Sequence, residues 1–85
     1  MFKSGDAVEI VEKGTTLIRT GRVISETYDN RGRVVLDVEI TSPMMGAKIM
    51  YSFVRGGGWQ ILHPNPGDEP FIHPDGPVYL IRKVS

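Results

Sequence analysis

The octapeptide "RVVLDVEI", residues 33 to 40, constrains the fold more than any other stretch. Val34, Leu36, Val38 and Ile40 fall on one side of an extended chain. Arg33, Asp37 and Glu39 fall on the other, with Val35 as the exception. A period of two marks a half-buried strand. Four more alternating runs follow the same rule: "AVEIVE", where Val8 and Ile10 point inward and Glu9 outward; "TLIRTGRVISETY"; "AKIMYSFV"; and the C-terminal "VYLIRKV". "WQIL" is a short further strand. Enrichment in Ile, Val, Tyr and Phe supports each assignment. No stretch carries the helical period.

The breaks between these runs agree with strands joined by turns. "DNRG", residues 29 to 32, predicts a hairpin, with Asn30 and Gly32 tolerating positive φ. Gly21, inside the second run, predicts a bulge or sharp bend. "TSPMMG", residues 41 to 46, is a second connector. Residues 63 to 77, "HPNPGDEPFIHPDGP", hold five prolines and two glycines. Proline lacks the amide donor and fixes φ, which excludes a central strand or a helix there. A loop that long in so small a domain is a place to look for function.

Length sets the next limit. The 85 residues form one domain, 1–85. A chain of this size hides only about 60–65% of the surface exposed when unfolded, so its core is thin. There is no cysteine to brace it. Neither a disulfide nor a thiolate zinc site can form. The opening "MFKSGDAVEI" lacks the apolar run of a signal peptide, and no stretch approaches the ~18 apolar residues of a membrane span. A cytoplasmic protein is the expectation. Lys plus Arg total 10 and Asp plus Glu total 10, giving zero formal net charge. That balance disfavours general phosphate binding and leaves little repulsion between copies, so a homo-oligomer is open to it. Five or six short strands without a helix predict an all-β protein in which closure into a small barrel removes exposed edges.

The segment "KSGDAVEIVEKGTTLIRTGRV" resembles the opening of SH3-like barrels, and in particular the KOW-type module of transcription and ribosomal proteins. Gly5 and Asp6 match the Gly-Asp turn, Val8 and Ile10 the alternating strand, Gly14 a loop, and Gly21 the bend glycine ahead of Val23. The likeness covers roughly residues 3 to 40. It implies an SH3-like small barrel of five to six antiparallel strands, and it implies a fold much more than a function. KOW modules often bind RNA or protein through loops between strands. Here Glu9 and Glu12 stand where a nucleic-acid binder would carry basic residues. "WQIL" resembles the pore strand of the plasmid-borne type of dihydrofolate reductase, a tetrameric SH3-like barrel, through Gln60 and Ile61 alone.

Several groups of residues could carry function. "YSFVRGGGWQ" places Tyr51 and Phe53 on one face of a strand, then Arg55, then Gly56, Gly57 and Gly58, then Trp59 and Gln60. Such glycines allow close approach of a ligand or partner, and Arg55 offers a fork of donors. The same residues also suit a glycine turn that delivers Trp59 into the core. The Gly-Lys-Ser/Thr ending of a phosphate loop is absent. Arg19, Arg22, Arg31 and Arg33 surround the second hairpin and are candidate nucleic-acid contacts if they share a face; Glu26 and Asp29 among them suit a mixed, solvated surface. His63, Asp68, Glu69, His73 and Asp75 are metal-ligand types, but their spacing matches no metal motif, and neither metal nor cofactor is expected. No Ser-His or Gly-x-Ser-x-Gly arrangement is present. Met44, Met45 and Met50 gather near the fourth strand. If Ile49, Tyr51 and Phe53 face the core, Met50 and Val54 are exposed or covered by a partner.

The expected function is a non-catalytic binding module for a protein partner, acting through Arg55, the Gly56–Trp59 loop and the 63–77 loop. In size and style the chain resembles small phage and plasmid accessory proteins that bind and modulate host proteins. The alternatives are a KOW-type RNA binder and a small-molecule (nucleotide) binder or enzyme built at an oligomer interface.

Overall fold

A computed structural model describes residues 1–42 and 46–84. Seven strands run in chain order: β1 (Ala7–Glu12), β2 (Ile18–Tyr28), β3 (Val34–Thr41), β4 (Lys48–Arg55), β5 (Trp59–His63), β6 (Phe71–Ile72) and β7 (Val78–Lys83). All pairings are antiparallel. The neighbours run β4-β3-β2-β1-β7-β5, and β4 pairs with β5 to close the ring. The result is a closed six-stranded barrel with β6 added to the edge of β5. It is consistent, at the level of fold, with an SH3-like barrel. No helix among the described residues is long and apolar enough to cross a membrane.

The alternation read from the sequence sets what faces inward. Val8 and Ile10 of β1, Val23 of β2, Leu36, Val38 and Ile40 of β3, Phe53 of β4 and Trp59 of β5 form one buried cluster. Phe2, Val34, Tyr51, Ile61, Tyr79 and Ile81 pack against it. The hairpin at residues 29 to 32 is present. Asp29 organises it: Oδ1 accepts from the amides of Arg31 (2.9 Å) and Arg33 (2.8 Å), and Oδ2 from Nε of Arg33 (2.7 Å). Gly32 adopts φ of 78°, whereas Asn30 does not take positive φ.

Two expectations need correction. The irregularity in β2 lies between Val23 and Ser25, not at Gly21. Gly21 serves close approach instead: a Cβ there would fall 2.7 Å from Cγ1 of Val38 and 2.9 Å from the Glu39 carbonyl oxygen. The bulge carries Ser25 into register with Asp37, which accepts from Ser25 Oγ at 3.0 Å and Ser52 Oγ at 2.6 Å, tying β2, β3 and β4 together. Second, Val54 is buried, with 1% of its surface exposed, although it lies outside the core cluster. It is paired with Val35 on β3 and Gln60 on β5. Met50 is exposed as expected; Met44 and Met45 lie outside the described residues. The proline-rich loop holds neither a central strand nor a helix; it contains β6, a two-residue edge strand paired among the described residues only with Leu62 and His63.

Candidate functional site

The glycine-tryptophan stretch divides into parts with different work. Trp59 is 7% exposed and belongs to the core, with Phe2 packed edge-on at 6.2 Å between ring centroids. The Arg55 guanidinium lies 6.0 Å from the centre of the indole, within reach of a cation–π contact. Gly58 serves a close approach: a Cβ would fall 2.5 Å from Cγ1 of Val78 on β7, which would have to shift. Gly56 and Gly57 are exposed, with open space where a Cβ would stand. The tight connection explains Gly58 and Trp59, and no packing constraint explains the first two glycines. Gln60 is half-buried on the outer face between Val54 and Val78, so it alternates away from Ile61, which faces inward.

Tyr51 and Phe53 belong to a different place, the open mouth of the barrel. A cavity of about 190 Å³ lies there. Its walls are Ile10, Ile40, Phe53 and Ile61, with Leu17 on the β1–β2 connection. Phe53 is 2% exposed and meets Tyr79 edge-on at 5.6 Å. Four polar-ended side chains join these walls: Glu12, Arg19, Tyr51 and Tyr79.

Strand register puts them there. Glu12 continues the inward parity of Val8 and Ile10 and stands opposite Tyr79. Arg19 stands opposite Ile10. Neither Glu12 nor Arg19 takes part in an ion pair among the described residues. Burial raises the Tyr79 hydroxyl above the ordinary phenol range, and the Glu12 carboxylate and Tyr51 push the same way against a smaller opposing effect of Arg19. Leu17 is exposed where it lines the opening. The mouth is therefore a mixed socket, with aliphatic and aromatic walls and a carboxylate, a guanidinium and two phenols among its lining.

The four arginines do not share a face. Arg19 lines the mouth. Arg22 points outward, and its Nη1 donates to the Gly5 carbonyl at 2.7 Å. Arg31 and Arg33 lie at the hairpin beyond the opposite end of β2, where Arg33 is paired with Asp29 at 2.7 Å. Arg31 and Arg33 border an open groove shared with Asp68, Glu69 and Phe71 of the proline-rich loop. Asn30 Nδ2 reaches Glu69 Oε1 there at 3.5 Å. Of His63, Asp68, Glu69, His73 and Asp75, no three combine into a metal-binding group among the described residues. The two imidazoles do meet, with ring centroids 5.2 Å apart.

Glu12, Leu17 and Tyr79 are mouth residues that sequence reasoning missed, although the parity of Glu12 with Val8 and Ile10 was visible. Arg19 and Tyr79 needed the pairing of strands distant in sequence. No family model matches the chain, and neither a curated protein nor a solved structure is detectably similar to it.

Proposed function

We propose that the chain is a non-catalytic binding module that receives one side chain of a partner protein in the barrel mouth. The observation that carries this reading is the size and lining of that cavity. Small-molecule and cofactor sites usually span about 300–1,000 Å³. At about 190 Å³ the mouth is below that range. It suits the single buried anchor on which protein interfaces concentrate their binding energy. Leu17, 51% exposed, supplies apolar contact area at the opening. Glu12 and Arg19 supply polar selection at its edge. A partner of host origin, captured in the manner of the phage and plasmid accessory proteins that the chain resembles in size and style, is part of this proposal.

The test uses the intact protein as immobilised bait in host extract. Leu17→Asp/Arg19→Ala changes the mouth at two exposed lining positions, and Arg31→Ala changes the distant hairpin. A protein retained by the unsubstituted chain and by Arg31→Ala, but released by the double variant, supports the mouth as the binding site. Equal retention by all three, or no specific retention, sinks the reading.

A further inference from the structure

The chain has two histidines. His63 ends β5 and His73 follows β6 directly. β6 folds back on β5 with His63 opposite Phe71 and Leu62 opposite Ile72. This reversal brings the two imidazole centroids to 5.2 Å, with the rings mutually perpendicular. Phe71 packs against both, at 5.4 Å from His63 and 5.7 Å from His73. Neither imidazole makes a hydrogen bond or an ion pair among the described residues. His63 is half-buried and His73 exposed, so the pair is open to solution.

We propose that His63 and His73 together bind a borderline divalent transition-metal ion of the zinc, nickel or copper class. Imidazole suits these metals. A zinc–nitrogen bond of about 2.0–2.1 Å leaves each ring centroid about 3.2 Å from the metal, and two such rings at a tetrahedral angle stand about 5 Å apart. The observed 5.2 Å meets that requirement. The rings meet edge to face, so one side chain turns about its Cβ–Cγ bond to aim a nitrogen of each ring at the shared ion. No third His, Asp or Glu completes the set among the described residues. Water therefore fills the remaining positions, and the affinity falls in the micromolar range instead of that of a closed four-ligand site. Copper binds more tightly than zinc. A bound ion links the end of β5 to the chain beyond β6 and so fastens the intervening proline-rich segment to the barrel.

The experiment titrates zinc chloride into tag-free protein by calorimetry and follows the imidazole nitrogens by NMR in the same buffer. The expected result is one ion per chain, both imidazoles shifting together, and at least about tenfold weaker binding in His63→Ala and in His73→Ala. Absence of binding at millimolar zinc, a shift of only one imidazole, or unchanged affinity in the two variants overturns the proposal. The NMR readout on the unsubstituted chain decides the matter even if a variant folds poorly.

Discussion

Glu12 and Tyr79 stand directly opposite each other across the β1–β7 ladder, and both line the barrel mouth. Burial first, and then the neighbouring carboxylate, holds the Tyr79 phenol above its ordinary value of 10.0. The folded state therefore keeps this proton at a pH where the unfolded chain has begun to lose it. The contribution is fully present below about pH 10 and is lost as pH rises through the folded value. Glu12→Gln is expected to bring the Tyr79 titration down toward the ordinary range, measured by tyrosinate absorbance. Tyr79→Phe is expected to flatten the loss of stability above about pH 10. An alkaline titration identical in Glu12→Gln and the unsubstituted protein contradicts the geometry of the mouth.

Trp59 is a core residue, and its truncation should be costly. Trp59→Ala is expected to lose about 3–5 kcal/mol, a large fraction of the 5–15 kcal/mol typical of a whole domain. Trp59→Phe should lose less, because Phe2 keeps an aromatic partner. Urea unfolding followed by far-ultraviolet dichroism reads both. Full stability in Trp59→Ala would show that the indole is dispensable to the core.

The three adjacent glycines should respond unequally. A Cβ at Gly58 meets Val78, so Gly58→Ala is expected to cost about 1–3 kcal/mol through overpacking. Gly56→Ala and Gly57→Ala enter open space and should change stability by no more than about 0.5 kcal/mol. Thermal unfolding of the three single variants gives the order directly. Equal effects at all three positions refute the assignment of the constraint to Gly58.

Asp29 predicts acid sensitivity of the hairpin. Burial works to raise its carboxyl, but the Arg33 amide and guanidinium and the Arg31 amide outweigh it and hold the group below 3.8. Its contribution is therefore present above about pH 4 and is lost as pH falls through the lower folded value. Asp29→Asn should reduce the slope of stability against pH in that acidic window. Carboxyl chemical shifts followed through the same window should show Asp29 titrating below the free side chain; a midpoint at or above the free value contradicts the hydrogen-bonded geometry.

Period-two alternation carried most of the architecture, because an inward parity on each strand leaves few ways to close a thin core. It located β1 to β5 and β7 to within a residue or two. β6 escaped because two residues are too few to show a period, and because Phe71 and Ile72 lie among prolines. Gly21 was misread for a related reason: a bulge and a close approach both call for glycine, and only the position of Val38 separates them. The mouth was half legible. Tyr51, Phe53 and Glu12 have the right parity on their own strands, whereas Arg19 and Tyr79 enter only through pairings with β1. The arginines near the second hairpin looked clustered because they are close in sequence. Along an extended strand, closeness in sequence still spreads side chains over two faces and two ends.

The pairing of Val8 with Lys83, and of the Val84 amide with the Ala7 carbonyl, joins the first strand to the last. The barrel therefore cannot close while its chain is being synthesised until β7 has left the ribosome. Until then β1 and β5 hold open edges, and the nascent chain is a curved sheet with its apolar side uncovered. Closure is also the contact between the most distant segments, the slowest kind to form. The interval before it is when this chain is most exposed to aggregation and to chaperones.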